Sequence, residues 1–296
     1  MAELRVGTCS WKYDSWRGIV YSDKEPLNHL QEYAQHYNTV EIDQWFWSLF
    51  GARKIVLPSP FTVKEYLESV PAGFKFSIKV PNSITLTHFY KKQKIDPLLE
   101  NPYFLSHEIF QQFLEIINPL NNHLGPLMFQ FEYLNKQKMA SQMEFQEKFG
   151  SFVQRLDKKY HYFVEIRNPN YLNDTYFRFL ESLKLKHVFL QGYYMPSVID
   201  LYDKFREYIH DSTVIRLHGP DRSEIEKISG GNWNRILEPK EDELKHIAQI
   251  VRDLLERKVE VYVNMNNHYE GSAPLSIRRL EKFLANDNSP ESSIIE

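Results

Sequence analysis

The sequence predicts a (β/α)8 TIM-like barrel on three observations. The chain has 296 residues, a size that such barrels commonly reach as one domain. Short runs rich in β-branched and aromatic residues alternate with amphipathic stretches, and no proline- or glycine-rich linker interrupts the alternation. Strand alternating with helix implies parallel pairing through right-handed crossovers. Eight such units without a ninth strand favour closure into a barrel over an open, doubly wound sheet.

Each predicted strand is a short apolar run that stops at a polar or turn residue. The first begins almost at the amino terminus, and the last runs into an Asn-rich segment. In chain order the strands are predicted at Leu4–Ser10, Thr39–Asp43, Lys75–Val80, Pro126–Phe131, His161–Arg167, His187–Gln191, Thr213–His218 and Glu260–Asn266.

The stretches between the strands carry the apolar period of helices. Pro26 and Pro239 stand just before two of them, where a proline fits. The helices are predicted at Leu27–Tyr37, Thr62–Val70, Ser106–Asn122, Ser141–Lys159, Asp174–Lys184, Ser197–Phe205, Glu241–Lys258 and Leu275–Leu284. These elements predict one barrel over residues 1–285 and a mobile tail over residues 286–296, where the period is lost. Two longer connections, Pro81–Leu105 and Gly219–Glu238, are typical of functional or lid-like loops.

Composition narrows the classes of function. Hydrophobic residues make up 42% and charged residues 25%, as in ordinary globular proteins, and the net charge of −3 gives no global basic field. A nucleic-acid partner is therefore not favoured, although a local patch would permit one. Cys9 is the single cysteine, which excludes an internal disulfide and a cysteine-only zinc site. Without a recognisable signal peptide or a membrane-length apolar run, we expect a cytoplasmic protein that does not bind membranes. The oligomeric state stays open.

Strand alternation predicts which side chains enter the barrel. Apolar residues at every second position should face the outer helices, which leaves polar residues on the inner face near the carboxyl ends of the strands. Barrel enzymes build their sites at that end, and burying so many charges is costly. A ligand site therefore explains these residues better than a network that only closes the barrel. The inner polar residues are Glu41, Asp43, Ser77, Lys79, Gln130, Glu165, Arg167, Arg216, His218, Asn264 and Asn266.

All the tryptophans fall in predicted loops at the same end of the barrel. They are Trp11, Trp16, Trp45, Trp47 and Trp233. Flat aromatic rings beside polar groups grip sugars and bases by stacking. Any one of them alone is better explained by loop packing, but the set predicts at least one ligand contact, which we assign to Trp11.

The motifs at the strand ends resemble those of the DUF72, or YecE-like, family. The match runs in order from about residue 4 to residue 285, and it implies a TIM-like barrel without implying a reaction. One departure is that two residues separate Ile84-Thr85 from His88, where the family usually has a histidine at once. The motifs are Gly7-Thr8-Cys9-Ser10-Trp11-Lys12-Tyr13, Asn38-Thr39-Val40-Glu41-Ile42, Phe76-Ser77-Ile78-Lys79, Leu124-Gly125-Pro126-Leu127-Met128-Phe129-Gln130, Val164-Glu165-Ile166-Arg167-Asn168-Pro169, Arg216-Leu217-His218-Gly219 and Val261-Tyr262-Val263-Asn264-Met265-Asn266-Asn267-His268-Tyr269-Glu270-Gly271, followed by Ala273-Pro274.

The favoured chemistry is general acid–base catalysis on a phosphorylated or sugar-like ligand by a hydrolase, lyase or isomerase that requires no cofactor. Glu165 or Glu41 would accept a proton, and His218 would donate one. Arg167 and Arg216 would clamp an anionic group in two-pronged fashion. The remaining predicted ligand contacts, which would orient hydroxyl groups or complete the pocket, are Trp11, Asp43, Lys79, Gln130, Asn264, Asn266 and Asn267. The glycine pair in Ser229-Gly230-Gly231-Asn232 is a weak signal for phosphate binding.

Several alternatives stay open at the sequence level. A divalent metal held by Glu41, Asp43, Glu165 and His218 would make a phosphodiesterase or nucleic-acid-processing enzyme resembling endonuclease IV, with Lys91-Lys92-Gln93-Lys94 as a basic track. A non-catalytic ligand-binding barrel is a third hypothesis. A retaining glycosidase is disfavoured because strands four and seven end in Gln130 and His218 instead of glutamates.

Two nucleophiles are also weighed. Lys79 would form a Schiff base if burial lowered its pKa, but a salt bridge to a nearby carboxylate that keeps it charged is the expected arrangement. Cys9 has no evident histidine partner in the sequence, so we expect a structural thiol.

Overall fold

The computed structural model describes residues 2–51, 54–91, 93, 95–219 and 221–285. Eight parallel strands form a nearly closed barrel in which the first strand pairs with the last, and each strand from the second onward pairs with the next one in the chain. The predicted (β/α)8 fold is confirmed. The strands are β1 Leu4–Thr8, β2 Thr39–Ile42, β3 Lys75–Lys79, β4 Leu124–Phe131, β5 Tyr162–Ile166, β6 Lys186–Gln191, β7 Ser212–Leu217 and β8 Glu260–Met265.

Helices surround the strands, and most begin at a side-chain cap. Asn28, Ser59, Ser106, Ser141 and Asn173 each accept a hydrogen bond from a backbone N–H of the first helical turn, which would otherwise lack a partner. The helices are α1 His29–Tyr33, α2 Pro60–Ser69, α3 Asn82–Thr85, α4 His107–Ile117, α5 Gln142–Val153, α6 Asp174–Ser182, α7 Val198–Phe205, α8 Arg222–Ser229, α9 Glu241–Glu256 and α10 Ala273–Ala285. No helix in the described part of the chain is long and apolar enough to cross a membrane.

Side chains bridge the seam between β1 and β2, where the described residues form no strand ladder. The Tyr33 hydroxyl of α1 accepts from Thr8 N at 2.8 Å and donates to Thr39 O at 3.0 Å. A Cβ on Gly7 would lie 2.0 Å from Thr39 O, so only glycine allows this close approach. One phenol therefore satisfies a backbone donor and a backbone acceptor at the place where an eighth strand pairing, between β1 and β2, would close the barrel.

The barrel interior has an apolar layer below a polar one. Met128, Phe163, Val188, Val214 and Tyr262 form a separate buried cluster inside the strands. The alternate residues of the same strands, such as Phe129, Val164 and Ile215, belong to the larger core under the helices. The predicted alternation is thus present, and it directs the polar residues of the next layer toward the carboxyl ends of the strands.

Several element boundaries differ from the predictions for local reasons. The predicted helix over Ser106–Asn122 is α-helical only to Ile117, because Pro119 follows and the chain continues as a 3₁₀ turn. The loop after β7 contains the unpredicted helix α8, whose first turn is capped by the Asp221 carboxylate. The predicted tail over residues 286–296 lies outside the described residues, so the domain boundary stays a prediction.

Candidate functional site

Arg216 lies at the centre of the polar layer, near the end of β7, with 2% of its surface exposed. Its Nε and Nη2 donate to the two carboxylate oxygens of Glu41, each at 2.8 Å. Its Nη1 donates to Glu165 and, at 3.4 Å, to Gln130 Oε1. Asn264 Nδ2 adds a hydrogen bond to Glu41 at 3.2 Å. One guanidinium group therefore ties β7 to β2, β4 and β5.

Glu165 is held between two arginines. Arg167 Nε donates to its Oε1 at 2.8 Å, opposite the contact with Arg216. Burial alone would raise the pKa of Glu165, but the attraction of Arg216 and Arg167 outweighs it and lowers the pKa to about 2. At neutral pH Glu165 is therefore a fixed anion. A general base works best with a pKa near the operating pH, so this geometry suits Glu165 to positioning.

The side chain of Lys79, the last residue of β3, has no hydrogen bond or ion pair with any residue that the structure describes. It is 9% exposed, and its Nζ lies 4.6 Å from the centre of the Phe46 ring. Burial, and then repulsion by Arg216, lower the pKa of the Lys79 ammonium. The expected salt bridge at Lys79 is wrong, because the two buried carboxylates of this layer already bind guanidinium groups.

Asp43 is the third carboxylate of the layer, and it forms no ion pair within the described ranges. It is half-buried directly after β2, on the same turn as Phe46, whose backbone N–H donates to Asp43 O at 3.1 Å. Burial raises the pKa of Asp43, against the attraction of Lys79. The pKa of Asp43 is thus raised and that of Lys79 lowered, and perturbed pKa values of this kind are frequent at functional sites.

His218 is buried between two side chains just after β7. Cys9 Sγ lies 3.6 Å from its Nε2, and the Tyr193 hydroxyl lies 3.0 Å from its Nδ1. Burial, followed by repulsion from Arg216, lowers the pKa of His218 well below its ordinary value. Burial likewise raises the pKa of the Cys9 thiol. At neutral pH this is a pair of uncharged groups, unlike the thiolate–imidazolium pair of cysteine nucleophiles.

Tyr193 is a site residue that sequence reasoning missed. Its ring lies 4.8 Å from the Arg167 guanidinium carbon, so it stacks on one arginine while its hydroxyl contacts His218. It reaches this position because Gly192, Tyr193 and Tyr194 all have positive φ after β6. A Cβ on Gly192 would lie 2.6 Å from Gly219 O. Gly192, directly after β6, was the signal in the sequence for an unusual turn, although it does not reveal which tyrosine side chain turns inward.

The asparagines after β8 divide between the site and the backbone. Asn264 reaches Glu41, and its buried Oδ1 has no partner among the described atoms. Asn266 Oδ1 accepts from His268 N at 2.9 Å, and Asn267 Oδ1 accepts from Ala273 N at 2.9 Å, at the start of α10. The structure thus uses Asn266 and Asn267 to shape the turn before α10, and their predicted ligand contacts stay untested.

Most tryptophans pack the loops together. Trp11 is buried edge-on against Tyr66 at 5.1 Å, and Trp45 stacks on the same tyrosine at 5.5 Å. Trp16 and Trp233 are buried as well. Trp47 is exposed and lies 6.2 Å from the exposed Tyr90 ring.

Trp47 belongs to a rim of exposed aromatic rings on the loops after β2, β3, β4 and β6. We call these residues the aromatic rim: Trp47, Tyr90, Tyr133 and Tyr194. Exposed rings at a strand-end site are suited to stacking on a sugar ring or a base. The tryptophan pattern therefore led to the end of the barrel that carries the aromatic rim, whereas Trp11 packs against Tyr66 and its predicted ligand contact stays untested.

The structure also describes most residues of the proposed metal site, the glycine pair and the basic track, together with His88. No group of three His, Cys, Asp or Glu side chains placed to hold a metal ion occurs in the described chain. Gly230 has positive φ and caps the end of α8, which accounts for half of the glycine pair. His88 is buried with its Nδ1 2.9 Å from Thr87 Oγ1. Of the predicted basic track, residues 92 and 94 lie outside the described residues.

The family model and two of the most similar solved structures agree with each other. The model of the family described as "Protein of unknown function DUF72" matches residues 5–293. A DUF72 family protein from Enterococcus faecalis has a TM-score of 0.64 at 19% identity, covering 97% of each chain. One from Thermotoga maritima has a TM-score of 0.64 at 22% identity, covering 96% of this chain and 100% of the other. Comparison with curated protein sequences gives no significant match. At these identities the structural likeness shows the fold alone.

Proposed function

This chain belongs to the DUF72 family, and on that premise we propose that it is an enzyme that transfers protons on a small sugar-like or phosphorylated ligand. The observation that carries the proposal is the pair Asp43 and Lys79. Both lie at the carboxyl ends of barrel strands, and neither is paired with a described residue. An unpaired buried charge costs several kcal/mol, roughly, and such a cost is typical of a functional site.

Asp43 accepts the proton in this proposal. Its raised pKa brings the carboxylate closer to neutral pH than Glu165, whose pKa is lowered to about 2. Lys79, at the end of the neighbouring strand β3, is in this proposal the donor that stabilises negative charge developing on a carbonyl or hydroxyl oxygen. Glu41, Glu165 and Arg216 form the frame that joins β2, which leads into Asp43, to β5 and β7.

Two further features support the ligand class. The Arg167 side chain is 27% exposed, and its terminal nitrogens make no hydrogen bond to the described residues, so they are available for a phosphate or carboxylate. The aromatic rim offers flat surfaces for a polyol backbone. A ligand with a hydroxylated chain and an anionic end fits both features.

The test measures exchange of carbon-bound hydrogen in D₂O by proton NMR. The probes are dihydroxyacetone phosphate, ribose 5-phosphate and glucose 6-phosphate, which carry hydrogens next to a carbonyl carbon. We expect deuterium to enter at least one probe, and the Asp43→Asn variant to lower the rate by about 100-fold or more, as for loss of a general base. Asp14→Asn, at an exposed carboxylate on the loop after β1, is the matched control and should exchange like the wild type.

Exchange that is absent for all three probes, or unchanged in Asp43→Asn, would contradict the proposal. A saturable rise in melting temperature with a probe, without any exchange, would favour the non-catalytic binding barrel instead.

A further inference from the structure

We propose that Lys79 is a nucleophile that forms a Schiff base with an aldehyde or ketone ligand at the carboxyl end of β3. The inference rests on the proposed function for its ligand class and adds a covalent step to it. It begins from an unusual distribution of charge in the barrel interior.

The buried charges of the polar layer are paired without Lys79. Arg216 binds both oxygens of Glu41 and one oxygen of Glu165, and Arg167 binds the other oxygen of Glu165. Two carboxylates and two guanidinium groups therefore form a closed, balanced set. Lys79 and the half-buried Asp43 are the cation and the carboxylate of this layer that form no ion pair with a described residue.

The Lys79 amine is largely shielded from water and faces one aromatic ring. The Lys79 Cα is in register with the Cα of Met128, which belongs to the apolar cluster inside the barrel. Its Nζ lies over the Phe46 ring at 4.6 Å. A lysine that is desolvated next to another cation is a known way of making a neutral, nucleophilic amine, and both conditions are met here. The same aromatic face would stabilise the cationic imine that forms.

Asp43 supplies the proton transfers that this chemistry needs. The lone pair of the neutral Lys79 amine attacks the carbonyl carbon, and one proton of the attacking nitrogen passes to the carbonyl oxygen, which becomes a hydroxyl group. The protonated Asp43 carboxyl then donates a proton to that hydroxyl, which leaves as water while the C=N bond forms. The products are a protonated imine on Nζ and an Asp43 carboxylate. That carboxylate is then free to remove a proton from the adjacent carbon, which is the exchange that the proposed function predicts.

The ligand class follows from the groups around Nζ. A carbonyl compound with hydroxyl groups and an anionic end would place its carbonyl at Lys79 and its anion at the exposed nitrogens of Arg167. Sugar phosphates and 2-oxo acids have this chemistry.

Reduction with sodium borohydride tests the inference, because it converts an imine irreversibly into a secondary amine. The intact protein is incubated separately with dihydroxyacetone phosphate, glyceraldehyde and pyruvate, reduced, and analysed by intact mass and peptide mapping. We expect about one adduct per chain with at least one probe, located on Lys79 in the wild-type protein itself, so the assignment does not depend on a variant folding.

Lys79→Met should abolish the adduct, while Lys186→Met should leave it unchanged. Lys186 is the matched control because it is also a largely buried strand lysine, but it begins β6 at the opposite end of the barrel and is ion-paired with Asp211. Absence of an adduct on Lys79 with all three probes, or labelling spread over exposed lysines, would overturn the inference. Deuterium exchange without an adduct would sink the Schiff base but keep the proposed function. An adduct without deuterium exchange would support the Schiff base and contradict the proposed function.

Discussion

At the scale of single residues, Arg216 and Lys79 show two ways of burying a positive charge. Arg216 presents planar donors that match two carboxylates, so its desolvation is offset by charge-assisted hydrogen bonds. Lys79 has only the Phe46 ring and the field of more distant carboxylates. The first arrangement holds strands together, and in the proposed mechanism the second keeps the Lys79 amine available for reaction. Replacing the two residues should therefore change the free energy of unfolding in opposite directions.

Replacing Arg216 should destabilise the protein strongly. Arg216→Met leaves Glu41 and Glu165 buried without their main partner, and loss of one member of a buried ion pair costs about 3–5 kcal/mol. Urea unfolding measures the free energy. Arg222→Met is the control, because Arg222 pairs with Glu226 at an exposed helix surface, where such pairs contribute about 1 kcal/mol or less. Equal losses in the two variants would show that the buried network is not a structural frame.

Replacing Lys79 should instead stabilise the protein. Lys79→Met removes an unpaired charge and fills similar volume with an apolar chain, so we expect the free energy of unfolding to rise by about 1–2 kcal/mol at the expense of activity. Lys138→Met is the comparison: Lys138 is also largely buried, but its Nζ pairs with Glu132 at 2.6 Å, so its replacement should not stabilise. A loss of stability in Lys79→Met would mean that Lys79 has a structural role.

At the scale of elements, α1 closes the barrel as well as covering it. Tyr33 lies in the turn of helix beside the seam, and its hydroxyl takes the place of a backbone partner for both β1 and β2. A barrel closes only if no strand edge is left with unsatisfied groups. This one helix residue therefore matters more for closure than the length of α1 would suggest.

Tyr33→Phe removes that hydroxyl while keeping the ring. Thr8 N–H and Thr39 C=O would then lie buried without this partner, which costs about 1–3 kcal/mol for a buried group left unsatisfied. The change in melting temperature and in urea midpoint measures the effect. Tyr37→Phe removes the hydroxyl of the neighbouring tyrosine, whose ring lies 4.7 Å from that of Tyr33, and should change stability much less. A similar loss in both variants would argue against a special role for the seam.

Comparison with the sequence shows which part of this arrangement periodicity can predict. Strand alternation placed Glu41, Glu165 and Arg216 together, because every second side chain enters the barrel and parallel strands share one carboxyl end. It could not predict which carboxylate pairs with which cation, since the pairing depends on side-chain rotamers and strand register. Tyr193 and Tyr33 were missed for a different reason. One depends on left-handed loop backbone, and the other reaches the strands from a helix.

At the scale of the whole molecule, buried ionisable groups make the fold sensitive to acid. Glu165 has a pKa lowered to about 2, and His187, packed beneath α6 with its Nδ1 3.4 Å from the Tyr176 hydroxyl, has a pKa lowered by burial to about 3. In both cases the unfolded chain binds a proton at a higher pH than the folded one. Acidification therefore favours unfolding, first through His187 and then through Glu165.

His187 gives the clearest test of this acid sensitivity, because it titrates in a separate pH range. Its unfolded pKa is about 6.5 and its folded pKa about 3, so its contribution to stability is complete above pH 6.5 and is lost as the pH falls toward 3. Between pH 6.5 and pH 5 this loss amounts to about 2 kcal/mol, because each pH unit is worth about 1.4 kcal/mol for one proton.

His187→Gln should flatten the fall in unfolding free energy by that amount, measured by urea unfolding at half-unit pH steps, and the exposed His36→Gln should not. Glu165 adds to the fall only below about pH 4.5, whereas the slopes of the wild type and of His187→Gln should differ until the pH approaches 3. An unchanged slope in His187→Gln between pH 6.5 and pH 5 would mean that the folded protein accommodates a proton on His187. The acid sensitivity would then have to arise from the polar layer of the barrel.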